Sequence, residues 1–101
     1  SSDFKLNTVI KAIYYINNNR NYKLNTVSKE VGVSNPTPNR YFKEVLGISP
    51  KQCFKALRFK TALKNYRANG SYDLYDELGY TDFSHFVKEA KNLANTTPSE
   101  L

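Results

Sequence analysis

Few residues in this chain can do covalent or metal chemistry. It has one histidine, His85, one cysteine, Cys53, and no paired carboxylates in a pocket-forming segment. That inventory completes neither a nucleophile–base–acid triad nor a metal set, and no glycine-rich loop is present to cradle a nucleotide phosphate. Neither an enzyme nor a bound cofactor or metal is therefore expected. The abundant chemistry is cationic. Lys51, Lys55, Arg58, Lys60, Lys64 and Arg67 occur with no acidic residue between Val45 and Tyr72, and the net charge is +6. Basic side chains displace condensed counterions from phosphate, so the expected partner is a polyanion. The competing use of the same charges is solvation of a helix surface, or, for Arg58, bracing of two lobes against each other through buried carbonyls or carboxylates.

A repeated turn says how those charges are presented. Glu30-Val31-Gly32-Val33-Ser34 recurs as Glu77-Leu78-Gly79-Tyr80-Thr81. Each copy follows a short amphipathic stretch and precedes a longer one, the layout of a helix-turn-helix. Each closes on a hydroxyl residue followed by proline, Ser49-Pro50 and Thr97-Pro98, and the second copy runs one residue longer. Two such units in one small basic chain argue for a DNA reader with two recognition helices.

The elements that must carry these turns can be placed by periodicity. Leu6, Val9, Ile10, Ile13 and either Ile16 or Tyr14 predict a first helix over about residues 6–18. Asn25 is the expected cap of a short helix ending at Val31. Asn35 is the expected cap of the next helix, which puts Pro36 first and Pro38 third, where the N–H groups have no intrahelical acceptor. That helix is expected to turn Tyr41, Phe42, Val45 and Leu46 inward and to stop at Gly47. Ser49 caps a long helix, Gln52 completes its capping box, and Gly70 ends it. Cys53, Phe54, Leu57 and Thr61 share one side of it, and Phe59, Ala62, Leu63 and Tyr66 the other. A helix burying opposite faces in its two halves is a connector between lobes. A short helix from Ser71 through Leu74 and Leu78, a helix capped by Thr81 and Asp82 and bearing Phe83, Phe86, Ala90 and Leu93, and a last helix opening at Thr97 complete an all-α chain of about seven helices. The first lobe is expected over about 6–48, the connector over about 49–69 and the second lobe over about 71–101.

At this point the residues resemble the AraC/XylS transcription regulators. The likeness rests on Val27-Ser28-Lys29-Glu30-Val31-Gly32-Val33-Ser34, Asn39-Arg40-Tyr41-Phe42-Lys43 and Gly47-Ile48-Ser49-Pro50 in the first lobe. Arg58 and Ala62 carry it in the connector, and Glu77-Leu78-Gly79-Tyr80-Thr81-Asp82-Phe83-Ser84-His85-Phe86 with Thr97-Pro98-Ser99-Glu100 in the second lobe. The resemblance implies a bacterial transcription regulator's DNA-binding domain, sequence-specific on double-stranded DNA, with two recognition helices in adjacent major-groove segments. RNA polymerase is a candidate further partner. Departures from the family pattern are Pro36 and Pro38 at the start of the first recognition helix, Tyr75 in place of a small residue, and Ala90 in place of a phenylalanine.

Carried over by position, the resemblance nominates Thr37, Asn39 and Arg40 in the first lobe, and Ser84, His85 and Lys88 in the second, for base contact. Phe83 is nominated for a thymine methyl. Arginine can grip guanine O6 and N7 with two bonds, and asparagine can do the same for adenine. Lys43 and Lys91, one turn further on, suit phosphate. Tyr41, Phe42 and Phe86 fit the buried stripe better than stacking platforms.

A second class stays open: a degenerate two-lobe module that binds protein and no longer reads DNA, suggested by Pro36, Pro38 and Tyr75. Arg40, Lys43, Lys88 and Lys91 along both faces favour DNA. No apolar run approaches the ~18 residues that span a bilayer, and an unpaired Cys53 points to a reducing, cytoplasmic compartment. The chain contains no methionine, so it is expected to be an excised piece of a longer protein, with a regulatory or dimerisation domain outside it.

Overall fold

A computed structural model of the chain describes residues 2–70 and 78–94. Among the described residues there are five α-helices and no strand: α1 Ser2–Asn19, α2 Leu24–Val31, α3 Thr37–Leu46, α4 Pro50–Asn69 and α5 Phe83–Ala94. The expected helices at Ser71 and Thr97, and Tyr75, lie outside the described residues. The chain divides into two compact units, Ser1–Lys55 and Ala56–Leu101.

In the first unit α1 packs on both α2 and α3, and these two pack on each other. Val9, Ala12 and Ile16 form the stripe that α1 buries, meeting Val27 of α2 and Phe42 of α3 in the core. Of the two candidates for the last position, Ile16 is fully buried and Tyr14 is 67% exposed; Leu6 and Ile10 are exposed too. The helix begins earlier than Leu6. Asp3 in its first turn suits the positive end of the helix dipole. Phe4 meets the Tyr41 ring edge-on with centroids 6.2 Å apart, and Lys5 pairs with Glu44 at 2.7 Å.

Two caps differ from expectation. Lys23, in extended backbone, is the N-cap of α2, and no side chain caps it. Asn25 instead lies inside the helix, while Asn21 Oδ1 accepts the Lys23 N–H at 2.9 Å. The start of α3 is shifted by one residue: Pro36 is the N-cap, so Pro38 falls second, still among the positions that need no N–H acceptor. Asn35 is not the cap because its carbonyl oxygen is used elsewhere, accepting the Ser28 hydroxyl at 2.6 Å. Between α2 and α3 the chain reverses at Gly32 with φ +76, a conformation that a Cβ would strain. Phe42 is fully buried as expected, whereas Val45 and Leu46 remain exposed.

Helix α4 carries its expected capping box. The Gln52 N–H donates to Ser49 Oγ at 3.1 Å, and the Ser49 N–H donates to Gln52 Oε1 at 2.8 Å. Its early half belongs to the first unit, with Cys53 buried and the Phe54 ring 5.0 Å from that of Tyr22. Its later half supplies Phe59 and Ala62 to a second core with Leu78, Tyr80, Phe86 and Ala90, flanked by Leu63 and Tyr66.

Candidate nucleic-acid interface

The face of α3 opposite its buried residues is set by helical spacing. Pro38 and Phe42, one turn apart, are buried, which leaves Asn39, Arg40 and Lys43 exposed on the other side. The Arg40 guanidinium lies 5.4 Å from the centroid of the Tyr41 ring, and the Lys5 ammonium lies 5.8 Å from the same ring. Tyr41 is half-buried beneath these cations. The acidic Glu44 on this helix is hydrogen-bonded by Lys5, which holds its carboxyl below the usual carboxylate range. Its charge is answered first by Lys5 from α1 and, more weakly, by Arg40.

Thr37 does not join this face. It is 7% exposed, and its hydroxyl lies 2.8 Å from the Ser34 hydroxyl. Its role is therefore to fix the junction between turn and helix. Pro38 is likewise in the core, so of the two prolines only Pro36 stands at an exposed position.

Helix α5 is built on the same plan. Asp82 caps it, its carboxylate accepting the His85 N–H at 2.8 Å, while Thr81 donates its own N–H to His85 Nδ1 at 3.3 Å. That second bond assigns the neutral His85 ring a proton on Nε2. Phe86 and Ala90, one turn apart, are fully buried, and Ser84, Lys88 and Lys91 are exposed. With His85, the side chains of Thr81, Asp82, Ser84 and Lys88 line a shallow hollow of about 310 Å³. Phe83 is partly exposed, its ring 5.8 Å from Tyr66 and 6.0 Å from Phe86.

Matching the buried pair Pro38/Phe42 with Phe86/Ala90 gives a common register. It absorbs the one extra residue in the second turn. Arg40 then corresponds to Lys88, Lys43 to Lys91, Pro36 to Ser84 and Thr37 to His85. The last pair shares a local bond as well, since each side chain ties back to the second residue after the turn glycine, Ser34 or Thr81.

A family model described as a helix-turn-helix domain matches residues 27–101. The chain belongs to the AraC/XylS-type helix-turn-helix family. Neither a curated protein nor a solved structure matches it. The AraC/XylS-type match covers α3 and α5 and both turn glycines; it begins within α2, and α1 precedes it entirely. The family is one of DNA-binding regulators and not of enzymes. Among the described residues of this AraC/XylS-type domain, no three His, Cys, Asp or Glu side chains cluster as metal ligands. No helix there is long and apolar enough to cross a membrane.

Two buried polar side chains beside α5, Glu89 and Tyr80, were not singled out in the sequence reading. Glu89 is buried on α5 between the Arg58 guanidinium and the Tyr80 hydroxyl. Burial, then the hydrogen bond to Glu89, pushes the Tyr80 phenol well up from its ordinary value, so it stays a donor. The signal was available: Phe86, Glu89, Ala90 and Leu93 follow the spacing of a buried stripe, and a carboxylate on such a stripe needs a partner.

Proposed function

We propose that this domain reads double-stranded DNA sequence-specifically, with α3 and α5 each inserted into a major-groove segment. The observation that carries the reading is the common register, which puts a long cation at equivalent points of two helices, Arg40 with Lys88, and a second cation one turn on, Lys43 with Lys91. In this reading Asn39 and Arg40, with Ser84, His85 and Lys88, meet base edges, Phe83 meets a thymine methyl, and Lys43 and Lys91 meet phosphate. Thr37 positions the helix from behind. A binding module without DNA reading is less well supported than the sequence suggested, because Pro38 fills the core and displaces no base-reading side chain.

Each chain holds two readers, so the domain binds as a monomer. Adjacent major-groove faces of one side of B-DNA recur every ~34 Å. Selection of bound duplexes from a random pool, followed by footprinting, tests this. Two preferred blocks under a monomer footprint are expected. A single block, or binding only by dimers, would count against it. As a piece of a bacterial regulator, the domain works in the cytoplasm, joined to a regulatory or dimerisation part and acting on RNA polymerase.

A further inference from the structure

Arg58 of α4, Tyr80 next to the turn glycine and Glu89 of α5 close a triangle inside the second unit. Arg58 Nη2 lies 2.5 Å from Glu89 Oε2, the Tyr80 hydroxyl donates to Glu89 Oε1 at 2.8 Å, and the Arg58 guanidinium carbon lies 4.4 Å from the Tyr80 ring centroid. Glu89 is only 6% exposed. The Tyr80 ring in turn meets the His85 imidazole edge-on, centroids 5.0 Å apart.

We propose that this triangle is a positioning device for the reading face: Arg58 and Glu89 hold Tyr80, and Tyr80 seats His85. The inference rests on the proposed reading of DNA by α5 and adds three positioning residues to it. A buried ion pair is a poor way to gain stability, because desolvation offsets most of the attraction. What it supplies is direction. Phe86 and Ala90 hold α5 by apolar contact, which is non-directional. A carboxylate gripped by an arginine from α4 and a phenol from the turn fixes how α5 is rotated. Glu89 lies one turn beyond His85 on the same helix, and His85 is already bonded to the residue after Tyr80. Disturbing Tyr80 therefore moves His85 without removing any group that meets DNA. The first unit has Tyr41, half-buried and under cations, at the position matching Glu89. A variant of the triangle should accordingly act on one half of the binding site.

Tyr80→Phe keeps the ring and deletes the hydroxyl. His85 is the sole histidine, so its imidazole ¹⁵N and ¹H resonances in the free chain report the seating unambiguously. In Tyr80→Phe these resonances should move. In sites selected from a random duplex pool, the preference in the half read by α5 should fall by about fivefold or more, with the other half unchanged. Unmoved His85 resonances, or a loss spread equally over both halves in step with a lower melting temperature, would overturn the proposal. A wild-type chain without base preference, combined with resonances that move in the variant, would overturn DNA reading while upholding the seating of His85. If Tyr80→Phe fails to fold, Glu89→Gln carries the same comparison.

Discussion

The Ser28 hydroxyl, buried on α2, donates to the side-chain oxygen of Asn35 at 2.6 Å and so ties the first helix of the turn to the start of the second. The same hydroxyl also lies 3.2 Å from the Asn25 carbonyl oxygen. Asn35→Ala removes an acceptor from a hydroxyl that solvent cannot reach. It should lower stability by about 1 kcal/mol in denaturant unfolding. In a double-mutant cycle with Ser28→Ala the losses should be clearly sub-additive, since both variants remove one bond. Fully additive losses would mean that the bond contributes nothing.

Pro38 should behave as a core residue and Pro36 as a surface one. Pro38→Ala leaves space under α3 and frees the unfolded chain, and it should cost about 1–2 kcal/mol without changing which DNA sequences are preferred. Pro36→Ser installs the residue found at the matching point of α5, Ser84. Unfolding midpoints should barely change, and selected sites should gain preference under α3. A change of preference in Pro38→Ala at unchanged stability would reverse the assignment.

How much of this was legible in the sequence follows from the kind of force involved. Gly32, Gly47 and Gly70 announce helix ends because positive φ is costly for other residues, and Ser49 with Gln52 announces a capping box because both partners lie within one turn. Local rules reach that far. They misplaced the caps of α2 and α3: Asn25 lies inside α2, which no side chain caps, and Asn35 was claimed by Ser28 on another helix. They also read Thr37 as exposed, since a threonine at a helix start looks exposed until Ser34 is known to bond it. The place of Glu89 on the buried stripe was legible in its spacing, but its partners Arg58 and Tyr80, lying on other elements, were not.

Arg40 and Lys43 should divide base and phosphate contact between them. Arg40→Ala should cost about 1–3 kcal/mol on the preferred duplex and relax choice at one base pair. Lys43→Ala should weaken every duplex alike and lower the salt slope by about one charge. Titrations of specific and random duplex at several salt concentrations separate the two. Equal losses on both duplexes for Arg40→Ala would make it a phosphate contact.

Acid should release the Lys5–Glu44 tie. The Lys5 hydrogen bond lowers the Glu44 pKa from its ordinary value of 4.5. A lowered folded pKa means that the stabilisation is present above that value and is lost as pH falls through the lowered one. Unfolding curves of wild type and Lys5→Met should therefore differ slightly near neutral pH and converge as pH drops through the carboxylate range. A difference that persists in full at about pH 2, below the carboxylate range, would assign the effect of Lys5 to its packing on Tyr41.

His85 should read DNA as a hydrogen-bond donor through Nε2. Its Nδ1 is occupied by the Thr81 N–H, so the ring offers Nε2–H to a base edge, where guanine O6 or N7 and thymine O4 are acceptors. The variants that separate this role from packing are His85→Gln and His85→Phe. Glutamine has a carbonyl for the Thr81 N–H and an amide to donate, so His85→Gln should keep most of the preference. Phenylalanine keeps a ring against Tyr80 and loses the donor, so His85→Phe should retain the fold and lose choice at one base pair, by about 1–3 kcal/mol. The comparison is made on the site selected by the wild-type chain, with Lys91→Ala as the phosphate control that weakens all duplexes alike. Should His85→Phe keep its preference while His85→Gln loses it, the ring, and not the donor, is what α5 presents to DNA.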